Sequence, residues 1–164
     1  MLNKSLVVLV VFLLFFFVAN TSFASTFYLS SEKTNIVLGE VIPVNVVIDT
    51  NKESINGVSA FLSYPEDKLE VAWVSYGEAF PVEAEESSSD GIIKISRGSF
   101  TGEVGNVNVA TIGFRGKVKG AATVSFIQES AAPRTNDSSD SLNLNESTGE
   151  TFTIEQSQPE SNIL

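Results

Sequence analysis

The side chains that could do chemistry in this sequence are almost all oxygen donors. Neither His nor Cys occurs among its 164 residues, which excludes Ser-His-Asp and Cys-His nucleophiles together with the usual zinc ligands. Paired carboxylates can hydrolyse glycosidic bonds, but Glu83, Glu85 and Glu86 belong to a predicted solvated loop and are followed by three serines. No apolar surroundings are expected there to raise the pKa of one of them. We therefore predict a chain that is not an enzyme and needs no cofactor.

Calcium is the cation that such hard oxygen ligands would suit. The run 136–140 and the acidic run Glu83–Asp90 both lack the central glycine and closing glutamate of an EF-hand. A solvated polar turn is therefore expected, with no metal. The first run concentrates four oxygen-bearing side chains, and two glycosylation sequons begin nearby: Asn136, Asp137, Ser138 and Asp140, with sequons at Asn136 and Asn145.

Aromatic residues offer a different chemistry, which is stacking. Trp73, Tyr76 and Phe80 lie close together in the sequence, and exposed rings in a row could stack on sugar rings, so Trp73 and Tyr76 are candidates for carbohydrate binding. The alternative is that Trp73 belongs to the core. Phe61 is a candidate anchor for a protein partner, unless a loop or neighbouring strand covers it.

These residues must be positioned by strands, because apolar residues recur at every second position. The stretch Ile55–Tyr76 shows this best: a strand, a charged turn at Pro65–Lys68, and a second strand from Leu69. The first strand has one face for a core and one for solvent. The inward positions are Val58, Ala60, Leu62 and Tyr64, and the outward positions are Gly57, Ser59, Phe61 and Ser63.

Further alternating runs follow at intervals of roughly 8 to 12 residues, without an amphipathic helix, and this pattern predicts an all-β, antiparallel β-sandwich. Pro43 suggests that its strand lies at an edge or begins there. The predicted strands include 26–31, 41–49, 92–96, 110–114, 124–126 and 150–154, with polar loops at 77–90, including an Asp90-Gly91 turn, and at 97–108.

The ends of the chain suggest export. Lys4 precedes an apolar run, Leu6–Ala19, and Ser22-Phe23-Ala24 fits a signal-peptidase site. We expect residues 1–24 to be a signal peptide, the sandwich to span 25–154, and 155–164 to be a linker-like tail. The protein would then be secreted or at the cell surface, with a membrane anchor only if the leader is uncleaved. A net charge of −10 excludes nucleic acid as a partner.

The order of short motifs along the strands resembles the cohesin domain over roughly residues 26–154. The motifs are Gly39-Glu40 before an alternating strand, Phe61-Leu62-Ser63-Tyr64-Pro65 with Leu69-Glu70-Val71, Gly77, Ala110-Thr111-Ile112-Gly113-Phe114, and Gly120 before Val124 and Phe126. Carbohydrate-binding modules of similar fold share parts of this pattern. The resemblance implies a nine-stranded jelly roll without catalytic activity, which binds a dockerin, a small calcium-loaded module fused to a partner such as a polysaccharide-degrading enzyme.

The resemblance also implies where the partner binds. It places the dockerin on the outward positions Gly57, Ser59, Phe61 and Ser63, with Lys94 and Ser96 on the neighbouring strand. This chain departs from the family's pattern, since Gly57 and Ser59 stand where better-known members carry a polar Asn and Asp. Docking is thus the leading hypothesis. Carbohydrate binding through Trp73 and Tyr76, or a structural adhesion domain, are the alternatives.

Overall fold

The computed structural model describes residues 24–156, which form two β-sheets packed face to face. Ten strands are present in this range, with one 3₁₀ turn at Leu144–Glu146. The strands are β1 Thr26–Ser31, β2 Asn35–Val37, β3 Val41–Asp49, β4 Ile55–Ser63, β5 Leu69–Tyr76, β6 Val82–Ser89, β7 Ile92–Glu103, β8 Asn106–Gly116, β9 Gly120–Phe126 and β10 Glu150–Glu155.

One sheet has four strands in the order β1-β3-β8-β5, and the other has six in the order β2-β10-β9-β4-β7-β6. All pairings between these strands are antiparallel except one, because the three-residue strand β2 pairs in parallel with β10. The predicted β-sandwich is therefore confirmed. The structure has one strand more than the nine that the resemblance implied.

Alternation within the strands builds the core, as the sequence predicted. Along β3, every second side chain is buried between the sheets. Four phenylalanines are among the largest fully buried side chains. Burial of each such side chain stabilises the fold by roughly 1.5–3 kcal/mol. The four rings are Phe27, Phe80, Phe114 and Phe152, and the buried aliphatic residues of β3 are Ile42, Val44, Val46 and Ile48.

Two segments predicted as loops are strands instead. Residues 82–89 form β6, and residues 97–103 continue β7, with β8 beginning at Asn106. β6 is an edge strand with nearly every side chain exposed, so its backbone pairs with β7 without any apolar alternation. The predicted turn at Asp90-Gly91 is confirmed: both residues have positive φ, 53° and 71°, as a two-residue type I′ hairpin requires.

Pro43 does not mark an edge strand, because β3 lies between β1 and β8. The pairing of β1 with β3 ends at Ser31 and Val44, so Pro43 lies just beyond the end of β1. At that position its missing N–H leaves no ladder hydrogen bond unmade on the β1 side. The prediction was wrong about the edge, but the start of a strand was the correct alternative.

The predicted signal peptide and most of the predicted tail lie outside the described residues, and both stay predictions. Between residues 24 and 156, the structure contains no helix with the length and apolar character needed to span a bilayer.

Candidate functional site

Strand β4 divides its side chains between two environments, as predicted. Val58, Ala60 and Leu62 are buried in the core between the sheets, while Tyr64, just after the strand, packs against the core with its ring 5.7 Å from that of Phe114. The intervening positions point away from the core, to the outer side of the six-stranded sheet.

Strand β7 completes this outer surface beside β4. Ser59 pairs with Ser96, and Phe61 pairs with Lys94, in antiparallel register. The two serine hydroxyls are hydrogen-bonded at 2.9 Å. The structure thus brings all six predicted partner-binding positions together on the outer side of one sheet, called the contact face below: Gly57, Ser59, Phe61, Ser63, Lys94 and Ser96.

Phe61 corrects the sequence prediction, since its ring is not an exposed anchor. It is only 7% exposed, although it lies outside the continuous core between the sheets. The ammonium of Lys94 lies 5.2 Å from the centre of the ring, within cation–π range. Ser130 fixes the backbone here, because its hydroxyl accepts a hydrogen bond from the Phe61 N–H at 3.1 Å. The alternative expectation, that another part of the chain covers Phe61, is therefore confirmed.

Residues 127–134, which follow β9, run beside β4 and form the border of the contact face on that side. Ser59 and Ala131 exchange both backbone hydrogen bonds, at 2.8 and 2.9 Å. Farther along, a Cβ at Gly57 would lie 3.0 Å from Cγ of Pro133. Glycine at position 57 therefore allows the proline ring to approach the strand closely, and a larger residue there would push Pro133 away.

Three exposed apolar residues flank the contact face, and the sequence reasoning missed them as site residues. Ile92 pairs with Ser63 at one end and is 36% exposed. At the other end Val82, which is 38% exposed, pairs with Gly98. Phe100 is 89% exposed, in the bulge where β7 departs from β4. An aromatic residue within a run of Gly, Ser and Thr was the signal available for Phe100.

Acidic side chains border the contact face along β6. Glu85 pairs with Lys94 at 3.4 Å, on the outer side of the sheet. Glu86 points to the inner side, where it forms an ion pair with Arg97. Lys94 is therefore the positive charge of the contact face, and the Glu85 carboxylate lies beside it at the border.

The two aromatic candidates for carbohydrate binding do not form a shared platform, which corrects that prediction. Trp73 lies on the outer side of the four-stranded sheet and is 43% exposed, so it is not a core residue. Tyr76, three residues later, faces inward and packs against the core, with Arg97 4.4 Å from its ring centre. An odd spacing along a strand places two side chains on opposite faces.

Tyr76 belongs instead to a small network that holds the edge of the six-stranded sheet. Burial and then the Glu86 carboxylate, which accepts a hydrogen bond from the phenol, raise the pKa of Tyr76 to about 12. Arg97 donates to the backbone oxygen of Phe80 at 2.8 Å and is bonded to Glu86. These contacts tie β6 to the core, and they describe a structural cluster rather than an acid–base pair.

The oxygen-rich run after Pro133 is engaged in its own turn. The Asp137 carboxylate accepts hydrogen bonds from the hydroxyl and N–H of Ser139, and these bonds lower the pKa of Asp137. Asp140 accepts from the N–H groups of Ala132 and Leu142. Between residues 24 and 156, no group of three or more His, Cys, Asp or Glu residues is arranged to hold a metal ion.

Comparison with solved structures places this architecture among cohesins. The seventh type I cohesin of ScaB from Pseudobacteroides cellulosolvens has a TM-score of 0.70 and 16% identity, covering 85% of this chain and 97% of its own. A non-cellulosomal cohesin from Archaeoglobus fulgidus has a TM-score of 0.66 and 20% identity, covering 81% and 92%. The sixth cohesin of scaffoldin B from Acetivibrio cellulolyticus, solved in complex with a mutant Cel5 dockerin, has a TM-score of 0.66 and 17% identity, covering 80% and 99%.

The chain therefore has the cohesin fold, and the predicted resemblance is confirmed at the level of the fold. No protein-family profile matches the sequence. No curated protein matches it either.

Proposed function

We propose that this chain is a docking module that binds a dockerin-bearing protein through the contact face. The observation that carries the proposal is the assembly of Ser59, Lys94 and Ser96 on the outer side of one sheet of a cohesin fold, with the Phe61 ring packed against Lys94. A cohesin with the same fold, from Acetivibrio cellulolyticus, has been solved in complex with a dockerin. The outer side of a sheet suits a helical partner, because helices can lie across strands without entering a pocket.

The chemistry of the contact face defines the partner surface that would fit. Its centre presents hydroxyls and one cation, and its two ends present apolar side chains, Ile92 at one and Phe100 at the other. Exposed aromatic residues are frequent binding anchors, so Phe100 replaces Phe61 in that role. Phe61 instead supports the surface from below, because its ring holds Lys94 in place. A partner with apolar side chains spaced to meet both ends is expected.

Docking by this chain would involve no catalysis. The absence of His and Cys from the sequence agrees with a binding module. Export through the leader would place the domain outside the cytoplasm, where a dockerin partner could act on polysaccharide.

Isothermal titration calorimetry against the calcium-loaded dockerins of the same genome tests the proposal. Ser96→Arg places a bulky charge at the centre of the contact face and is expected to weaken binding by tenfold or more. Phe100→Ala should cost about 2 kcal/mol of binding free energy if the ring is an anchor. Asn106→Arg is a matched control, since it adds the same side chain at an exposed position of the other sheet.

Two results would contradict the proposal. One is a folded wild-type domain that binds none of the dockerins. The other is binding that Ser96→Arg and Asn106→Arg weaken equally, which would place the contact elsewhere on the domain.

A further inference from the structure

The outer side of the four-stranded sheet carries a second surface that docking does not use. Its centre is Trp73, which packs directly on Gly113 of the neighbouring strand: a Cβ at Gly113 would lie 2.3 Å from the indole Cε2 and 2.4 Å from Nε1. The missing side chain at position 113 is what allows the ring to lie so close to the sheet. One side of the indole is thereby supported by backbone, while 43% of the residue stays exposed to solvent.

Uncharged hydrogen-bonding side chains occupy the row of residues on one side of this ring. Thr111 pairs with Asn45 on one side and with Ser75 on the other, in the row next to Trp73. The Thr111 hydroxyl donates to the amide oxygen of Asn45 at 2.7 Å, so the amide group of the exposed Asn45 is held with its NH₂ available as a donor. Pro43 lies across Gly113 from the indole and is also exposed.

Trp73 and the row of hydrogen-bonding residues beside it are uncharged. A row here is the set of residues in register across neighbouring strands. The row of Trp73 and the adjacent row of Thr111 contain no acidic or basic side chain, although the chain carries 20 acidic residues and a net charge of −10. The nearest charged pair in register, Glu70 with Arg115, lies in the next row. The residues of the two rows are Ser30, Asn45, Thr111, Ser75, Pro43, Gly113 and Trp73.

We infer that this surface, defined by Trp73, Asn45, Thr111 and Ser75, binds a neutral polysaccharide. A sugar ring has an apolar C–H face, which stacks on an aromatic ring, and an edge of hydroxyls, which pairs with amides and hydroxyls; binding sites for such ligands combine these two features. A protein partner would be better served by a wider apolar patch. An anionic ligand would need cations, and the other row next to Trp73 offers one, Arg115, which is in register with the acidic Glu70. The four strands span about 14 Å, which accommodates a short stretch of an extended glycan.

The site is separate from the contact face, since the two surfaces lie on the outer sides of different sheets. The domain can therefore hold a glycan on one side while a protein occupies the other. Tyr76 takes no part, because it faces the core. The inference stands whether or not the chain docks a dockerin.

Affinity electrophoresis in gels containing soluble glycans tests the inference, with mixed-linkage β-glucan, hydroxyethyl cellulose, xylan, glucomannan and glycol chitin as probes. Retardation by at least one glycan is expected, with a dissociation constant between roughly 10 μM and 1 mM. Trp73 is the chain's one tryptophan, so the same glycan should change its fluorescence in solution. Trp73→Ala should weaken binding at least tenfold, and Trp73→Phe should retain part of it.

A second variant guards against loss of folding in Trp73→Ala. Ser75→Arg keeps the indole but places a long side chain beside it, and it should also weaken binding at least tenfold in a domain whose circular dichroism is unchanged. Absence of retardation by all five glycans overturns the inference, as does retardation that neither variant reduces. If both variants abolish capture of a protein partner instead, the surface is a protein contact and the inference is wrong.

Discussion

The contact between Trp73 and Gly113 gives the sharpest test of the structure, through the substitution Gly113→Ala. The added methyl group would lie 2.3–2.8 Å from three indole atoms, whereas ordinary contacts are 3.4–4 Å. The ring must therefore move outward by about 1 Å or swing off the sheet, since carbon atoms attract best at about 3.5–4.0 Å. Overpacking of this kind destabilises by about 1–3 kcal/mol.

The intrinsic effect of the same substitution has the opposite sign. Gly113 does not have positive φ, so alanine fits its backbone, and replacing glycine by alanine at such a position stabilises by about 0.4–1 kcal/mol through the unfolded chain. Gly113→Ala is therefore expected to lower the free energy of unfolding by about 1–2 kcal/mol in the wild type. In a Trp73→Ala background, the same change is expected to be neutral or stabilising.

Denaturant unfolding of the wild type, both single variants and the double variant measures this coupling, which should be about 2 kcal/mol. Circular dichroism is the suitable probe, because two of the four proteins lack tryptophan. Where the indole is present, Gly113→Ala should shift its fluorescence to longer wavelength as the ring enters water. An equal cost of Gly113→Ala in both backgrounds would refute the contact, and with it the rigid support that the glycan site requires.

Three further predictions concern the six-stranded sheet. Phe61→Ala should lower the free energy of unfolding by about 3–5 kcal/mol, and Phe61→Leu by less than about 1.5 kcal/mol. If denaturant unfolding shows a negligible loss of free energy for both variants, the ring is not packed. Tyr76 should ionise with a pKa of about 12, above the ordinary 10.0, so its contribution to stability is complete below about pH 10 and is lost as the pH rises through about 12. The phenolate absorbance of Tyr76→Phe should lack that step, and superimposable steps near pH 12 in both proteins would contradict the assignment. Arg97→Met should lower the free energy of unfolding by about 1.5–3 kcal/mol and speed amide exchange in β6, because it removes charged hydrogen bonds to Glu86 and to the backbone. Glu85→Gln, at an exposed ion pair, should lower it by less than about 1 kcal/mol. Equal effects of the two variants would show that Arg97 does not hold the edge strand.

Alternation predicted the core side of the sheets well, because burial on one face leaves a period of two in the sequence. The inward set of β4 and the buried residues of β3 follow directly from it. Strand β6 could not be predicted in this way. Its side chains are exposed on both faces, and the hydrogen bonds that define it come from β7, which no local pattern records.

The candidate sites show a second limit of sequence reasoning. The outward direction of Phe61 was predicted correctly, but its burial depends on Lys94 and on a segment some 70 residues farther along the chain. Trp73 was weighed as a core residue, and its position on the surface depends on a glycine in another strand. Contacts between strands distant in sequence decide exposure, whereas alternation gives only the side of the sheet.

The position of β10 has a consequence for how the domain folds as it is synthesised. This strand is the last in the sequence, yet it lies in the sheet between β9 and the early strand β2. It supplies the buried residues Phe152 and Ile154. Until residues 150–155 have emerged, Ile36 of β2 and Ala122 of β9 lack the neighbour that covers them. The six-stranded sheet cannot close before residues 150–155 have emerged, so a chain that lacks them exposes apolar strand edges that invite aggregation. Folding is therefore expected to be a late event, completed only after almost the whole described domain has been made.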